Sequence, residues 1–274
     1  MSGGAKCWLG IDFSGNDKNW RAGTPRNVWI AEVHGTADDL SLNALRPVQH
    51  LEGTGEPFER LSNRLGRRDF AAAGIDAPFS IPAAYLPSGG WEALLATVNQ
   101  LPLRTRPFPR GDEFIAAVTK GAALPEKKPL RLTEQAWRGQ ARSTLWYKPR
   151  GGAPFTASCL KLIASSGLDC WPWVEYPGPL LVEAFPAAQL RTWKLPHQRY
   201  TNREPHHAEN RRIIVDVVAR RVACRSDDLE LLQGNADALD AVICCFAALA
   251  VTEGRLASAR GDQGNGEGWI AVHR

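Results

Sequence analysis

The chain lacks the common signatures of a zinc site. Its six cysteines, Cys7, Cys159, Cys170, Cys224, Cys244 and Cys245, form no CxxC pair. Its six histidines include no HExxH pattern, so a zinc hydrolase is not expected. No apolar run approaches the length of a membrane span, and no membrane partner is expected. Polar residues and glycines follow within a few positions of Met1, so no secretory signal is read there. A cytoplasmic protein with free thiols is the expectation. Neither an internal repeat nor a low-complexity tract is visible. Neither sign of charge dominates: 33 Lys and Arg against 29 Asp and Glu give a formal net charge of +4, which tolerates a nucleic-acid partner without requiring one.

The 274 residues carry an ordinary apolar fraction of 44%, enough for one large core. Cys7–Phe13 and Asn27–His34 read as strands, and a third lies within Leu40–Leu51, interrupted by Pro47. Glu56–Arg67 reads as a helix, with Pro57 suited to its first turn. Asp69–Asp76 is a buried strand that stops at Ala77-Pro78, and Leu180–Phe185 is another, ended by Pro186. Further helices are expected at Gly90–Leu101, Thr156–Ser166, Ala187–Trp193, Glu204–Val222 and Asp227–Leu232. Glu267–His273 closes the chain as a strand or a strap. This order predicts an α/β fold with a mixed sheet, an antiparallel meander followed by crossover units.

Residues 102–152 are less regular, rich in proline and in basic side chains. They read as an insertion or cap on a single domain spanning residues 1–274, with short helices around Glu113–Lys120 and Thr133–Arg142. The basic residues are Arg104, Arg106, Arg110, Lys127, Lys128, Arg131, Arg138, Arg142, Lys148 and Arg150. With Trp137, Trp146 and Tyr147 among them, they suit either a phosphate-tracking, base-stacking surface or a solvated face.

The most informative stretch is Asn235–Ala250, NADALDAVICCFAALA. It is apolar on nearly every side, so it should be a buried helix. Asp237 and Asp240, three residues apart, project from it in the same direction. Ionised groups resist leaving water, so something must meet these carboxylates. Other acids recur at strand ends: Asp12, Asp76 and Glu183. Parallel neighbouring strands would bring them to one edge of the sheet, where α/β folds bind ligands. Carboxylates crowded there need a cation. Oxygen-only ligands suit Mg²⁺ or Mn²⁺, and a pair of such ions roughly 3.5–4 Å apart can clamp a phosphodiester.

Five segments carry a resemblance: Gly10-Ile11-Asp12-Phe13-Ser14-Gly15, Gly74-Ile75-Asp76-Ala77-Pro78, Val182-Glu183-Ala184-Phe185-Pro186, Ala236-Asp237-Ala238-Leu239-Asp240-Ala241 and Glu267-Gly268-Trp269-Ile270. In this order they resemble the domain of unknown function 429 family, a group predicted to be nucleases of the ribonuclease H-like fold. The resemblance covers most of the chain outside the middle insertion. It implies a five-stranded sheet of order 3-2-1-4-5 with strand 2 antiparallel to the others. It also implies Asp12, Asp76, Glu183, Asp237 and Asp240 as catalytic acids. The ADALDA helix is similar to the last acidic helix of Holliday-junction resolvases. The expected protein is therefore a metal-dependent nuclease or phosphodiesterase acting on DNA or RNA. Asp12, Glu183 and Asp240 are its expected metal ligands, while Asp76 and Asp237 complete or orient the shell.

Plainer roles stay open for each acid. Asp237 suits the first turn of a helix capped by Asn235. Asp240 and Glu183 could each meet an arginine in a buried ion pair. Asp12 and Asp76 could serve local turns. His206-His207 reads as a solvated helix face, or as a phosphate contact or proton carrier. Two other functions compete. Gly10–Gly15 resembles the first phosphate loop of actin-like kinases, although Gly261–Gly268 makes a poor second loop. A non-catalytic nucleic-acid-binding protein on the same scaffold is the third class.

Overall fold

A continuous apolar run, buried on both faces, builds the first strand, β1 (Lys6–Asp12). It pairs antiparallel with β2 (Trp29–Thr36), which pairs antiparallel with β3 (Asp39–Pro47). On the other side β1 pairs in parallel with β4 (Ala72–Ile75), and β4 with β6 (Leu180–Glu183). The computed structural model describes residues 5–23, 27–137, 142–147, 151–257 and 266–274. Among them six strands form one mixed sheet of order β3-β2-β1-β4-β6-β5. The expected α/β class, the order of the first four strands and the antiparallel strand 2 are all present. The expected count of five is corrected by a three-residue edge strand, β5 (Asp169–Trp171), parallel to β6.

Pleating sends successive side chains to opposite faces, and each face has its own core. Leu9, Ile11, Ile30, Ala73, Ile75 and Leu181 pack on one side. There they meet α1 (Pro57–Gly66), α2 (Gly90–Gln100), α3 (Gly111–Thr119) and α5 (Gly152–Ser166). Phe108, Phe114, Val118 and Leu145 belong to this core, so residues 102–152 supply part of the layer as well as its outer surface. The short helix α4 (Leu132–Ala136) also lies in this segment. It ends sooner than the expected Thr133–Arg142, whose residues 138–141 lie outside the described ones.

Trp8, Ala31, Val33, Ala72, Leu180 and Val182 line the opposite face. It is covered by α6 (Pro186–Thr192), α7 (Pro205–Ala219), α8 (Ser226–Gly234) and α9 (Ala236–Thr252). The helix α9 is the central one. Leu239, Val242, Ile243, Phe246 and Leu249 are buried, each contributing about 1.5–3 kcal/mol of transfer free energy. Two glycines let α9 lie directly on the strands. A Cβ at Gly10 would stand 2.0 Å from the Ala241 carbonyl oxygen, and one at Gly74 2.0 Å from that of Cys244. At the far end the Trp8 indole donates to Thr252 Oγ1 at 2.8 Å. The helix therefore runs opposite to β1, and its first turns reach the carboxyl ends of β1 and β4.

Residues 267–273 form a strap, not a ladder strand. Ala271 N donates to the Glu183 carbonyl at 3.0 Å, and Ile270 N to Thr133 Oγ1 at 2.9 Å. No single described helix is long and apolar enough to cross a membrane. All six cysteines are free, and Cys244 and Cys245 are buried in α9.

Candidate carboxylate site at the sheet edge

Pleat parity decides which acids meet. Asp12 follows Trp8 and Gly10 on the α9 face, and Asp76 follows Ala72 and Gly74 onto the same face. Helix α9 begins there. Asn235 caps it, accepting from Ala238 N at 3.1 Å, and places Asp237 in the first turn and Asp240 one turn on. The charges of these aspartates bear chiefly on Asp12 and Asp240. Burial first, then the charges of Asp237, Asp240 and Asp76, hold the Asp12 carboxyl well above the usual range. Burial and then Asp76 do the same to Asp240, opposed by a hydrogen bond from Tyr200. Burial and Glu183 push Asp76 up to about 7. Burial alone raises Asp237.

Asp12, Asp76 and Asp237 are half-buried, while Asp240 is 8% exposed. Among the described residues, neither an ion pair nor a side-chain hydrogen bond engages Asp12, Asp76 or Asp237. An arginine partner for Asp240 is likewise absent among the described residues; its partner is the Tyr200 hydroxyl, which donates to Oδ1 at 2.9 Å. Nothing in the sequence around Tyr200 signals this role, because its loop meets α9 only in three dimensions. Arg211 of α7 fixes that loop by donating to the carbonyls of Tyr200 and Asn202, the latter at 2.6 Å. The same guanidinium reaches the Gln233 carbonyl at 2.9 Å, tying the loop to the end of α8.

Glu183 points the other way. It follows Leu181, and its register partner is Ile75, so its side chain lies on the α5 face. There Arg131 donates to both of its oxygens, to Oε2 at 2.8 Å, and Phe79 N donates to Oε2 at 3.0 Å. Arg131 also donates to Glu134 Oε1 at 3.0 Å. The ion-pair alternative is thus the arrangement observed for Glu183. Arg131, grouped by sequence with the basic surface, is buried beneath it. Neighbouring Glu267 accepts from Ala83 N and Leu132 N, both at 2.6 Å, and locks the C-terminal strap to the insertion.

Three of the other basic residues of the insertion face acids. Arg104 pairs with Glu113, Arg106 with Asp17 and Arg110 with Asp112. Arg138, Lys148 and Arg150 lie outside the described residues, as does most of Gly261–Gly268. The phosphate-loop alternative also meets an obstacle. A Cβ at Gly15 would stand 2.6 Å from Phe155 N, so this glycine serves the close approach of α5.

Among the described residues, one triad brings potential ligand atoms within 4.8 Å of one another: Glu204, His206 and His207. Its chemistry fits a metal poorly. His207 Nδ1 accepts from Asn202 N at 3.1 Å, so a neutral ring carries its proton on Nε2, which faces Glu204 at 3.5 Å. The aspartates at the sheet edge are not drawn together as tightly. Their fit to a hard divalent ion rests on the donor set: oxygen only, partly desolvated and without basic partners.

Fold and site together define an α/β protein with a partly buried aspartate cluster at the carboxyl ends of its central strands. The family model described as Protein of unknown function (DUF429) matches residues 10–264, and the chain belongs to that family. No curated protein and no solved structure matches the chain.

Proposed function

We propose that this protein is a divalent-metal-dependent phosphodiesterase acting on nucleic acid, with Mg²⁺ or Mn²⁺ as its cofactor. The observation that carries the reading is the placement of Asp12, Asp76, Asp237 and Asp240 on one face at the carboxyl ends of β1 and β4, where burial and neighbouring carboxylates raise Asp12 and Asp240 and no described basic residue pairs with any of the four. Such an arrangement destabilises a metal-free fold, and a bound cation would remove the penalty. A ribonuclease H-like strand order and the resemblance to predicted nucleases support the same reading.

Asp12 and Asp240 are the principal ligands in this proposal, approaching from the sheet and from α9. Asp76 and Asp237 complete or orient the shell. Glu183 leaves the expected ligand set, because Arg131 and Phe79 N occupy its carboxylate. Tyr200 holds one oxygen of Asp240, which orients the carboxylate and favours its charged form. A divalent ion bound there would supply Lewis acidity and lower the pKa of a water ligand, the chemistry that phosphodiester hydrolysis needs.

The test is cleavage of labelled DNA and RNA oligonucleotides with Mn²⁺, Mg²⁺ or EDTA. The expected outcome is metal-dependent cleavage, abolished by Asp12→Asn or Asp240→Asn while circular dichroism shows the fold retained. A double Asp12→Asn, Asp240→Asn variant that keeps metal-dependent activity would contradict the assignment.

A further inference from the structure

Beside Asp76, on the side away from α9, lies a cavity of about 360 Å³. Asp76, Ala77 and Pro78 form one wall, continuing β4 past its end. Phe155 of α5 and the Gly151-Gly152 backbone form another, and Phe185 and Ile270 close it. The floor is polar but self-contained, since Arg131 donates to both Glu134 and Glu183 there. What remains for a ligand is a largely apolar hollow flanked by two phenylalanine rings and a proline, with the half-buried Asp76 carboxyl and the exposed Arg142 side chain at its margins.

These features select the occupant. The volume lies at the small end of the roughly 300–1,000 Å³ typical of small-molecule sites, suited to one ring system and far too small for a duplex. Phenyl faces stack on any base. Asp76 joins the hollow to the cluster, because its charge acts on both Asp12 and Asp240. A base seated in the hollow would carry its own phosphodiester to the acids.

We infer that this cavity takes one unstacked nucleobase of a strand whose backbone passes the aspartate cluster. The inference rests on the nuclease reading above and adds a substrate class, single-stranded or locally unpaired nucleic acid. A base inside a duplex reaches such a pocket only by leaving its stack.

The test uses short DNA and RNA oligonucleotides carrying 2-aminopurine, single-stranded or fully paired. Binding is read by fluorescence with Ca²⁺ present, and cleavage separately with Mn²⁺. Single strands should bind about tenfold or more tightly than duplexes, and the DNA and RNA arms distinguish the two sugars. Phe155→Ala and Phe185→Ala should each weaken binding by about tenfold. A trinucleotide made abasic at each position in turn should lose a similar factor at one position with the unaltered protein, independently of any folding defect in the variants. Equal binding of duplex and single strand, with no abasic effect, would overturn the inference while Mn²⁺-dependent cleavage left the nuclease reading standing. Base-dependent binding without any metal-dependent cleavage would support the cavity and remove the nuclease reading. No binding of any oligonucleotide would overturn the inference.

Discussion

Replacing Asp76 by Asn should stabilise the metal-free protein, by an amount that grows as pH rises through the acidic range and is full at neutral to alkaline pH. In the unfolded chain the carboxyl ionises near 3.8, whereas in the folded protein it ionises at about 7. Between those values the folded state keeps a proton that the unfolded state has released. Stability therefore falls as pH rises through that window and is flat above it. The full penalty above pH 7 is at most about 4 kcal/mol, at 1.36 kcal/mol per pH unit. Asp76 is half-buried, so solvent screening reduces this to on the order of 2 kcal/mol. Asparagine keeps the shape and cannot ionise. Urea denaturation in EDTA should show Asp76→Asn more stable than wild type by about that amount at pH 8, and indistinguishable from it near pH 4. Equal destabilisation at both pH values would refute the reasoning, since it would mean that the carboxylate has a favourable partner in the fold.

Three further outcomes follow from the same geometry. Gly74→Ala should destabilise by about 1–3 kcal/mol or more in urea melts, because its Cβ would meet the Cys244 carbonyl carbon and oxygen of α9. Glu183→Gln should cost about 3 kcal/mol by removing one of the two carboxylate partners of buried Arg131, leaving Glu134 alone to balance it, yet leave Mn²⁺ affinity in calorimetry essentially unchanged. Tyr200→Phe removes the one side-chain donor to Asp240 among the described residues and should lower Mn²⁺ affinity by about tenfold, with a small change in stability.

Much of this fold is legible in the chain because its elements are long or sharply punctuated. The strand before Ser14, the strand ending at Ala77-Pro78 and the capped apolar helix after Asn235 all fall where their patterns predict. The edge strand Asp169–Trp171 is too short to show a period. The acids at the strand ends are visible too, but their partners depend on face as well as edge. Counting alternation from Leu181 would place Glu183 opposite to Asp12 and Asp76, since one residue of offset reverses a side chain. Arg131 looks like one more charge in a basic segment, and only tertiary packing buries it against Glu183. Tyr200 lies 40 residues from Asp240, and no local pattern connects them.

Mn²⁺ binding by calorimetry, run at pH 6.5 in two buffers of different ionisation enthalpy, tests the central claim most directly. Burial and mutual repulsion keep protons on the cluster, so metal uptake must displace them. The expected result is binding with buffer-dependent heat from proton release, lost in Asp12→Asn and Asp240→Asn. No binding at millimolar Mn²⁺, or binding that these substitutions leave intact, would contradict the account.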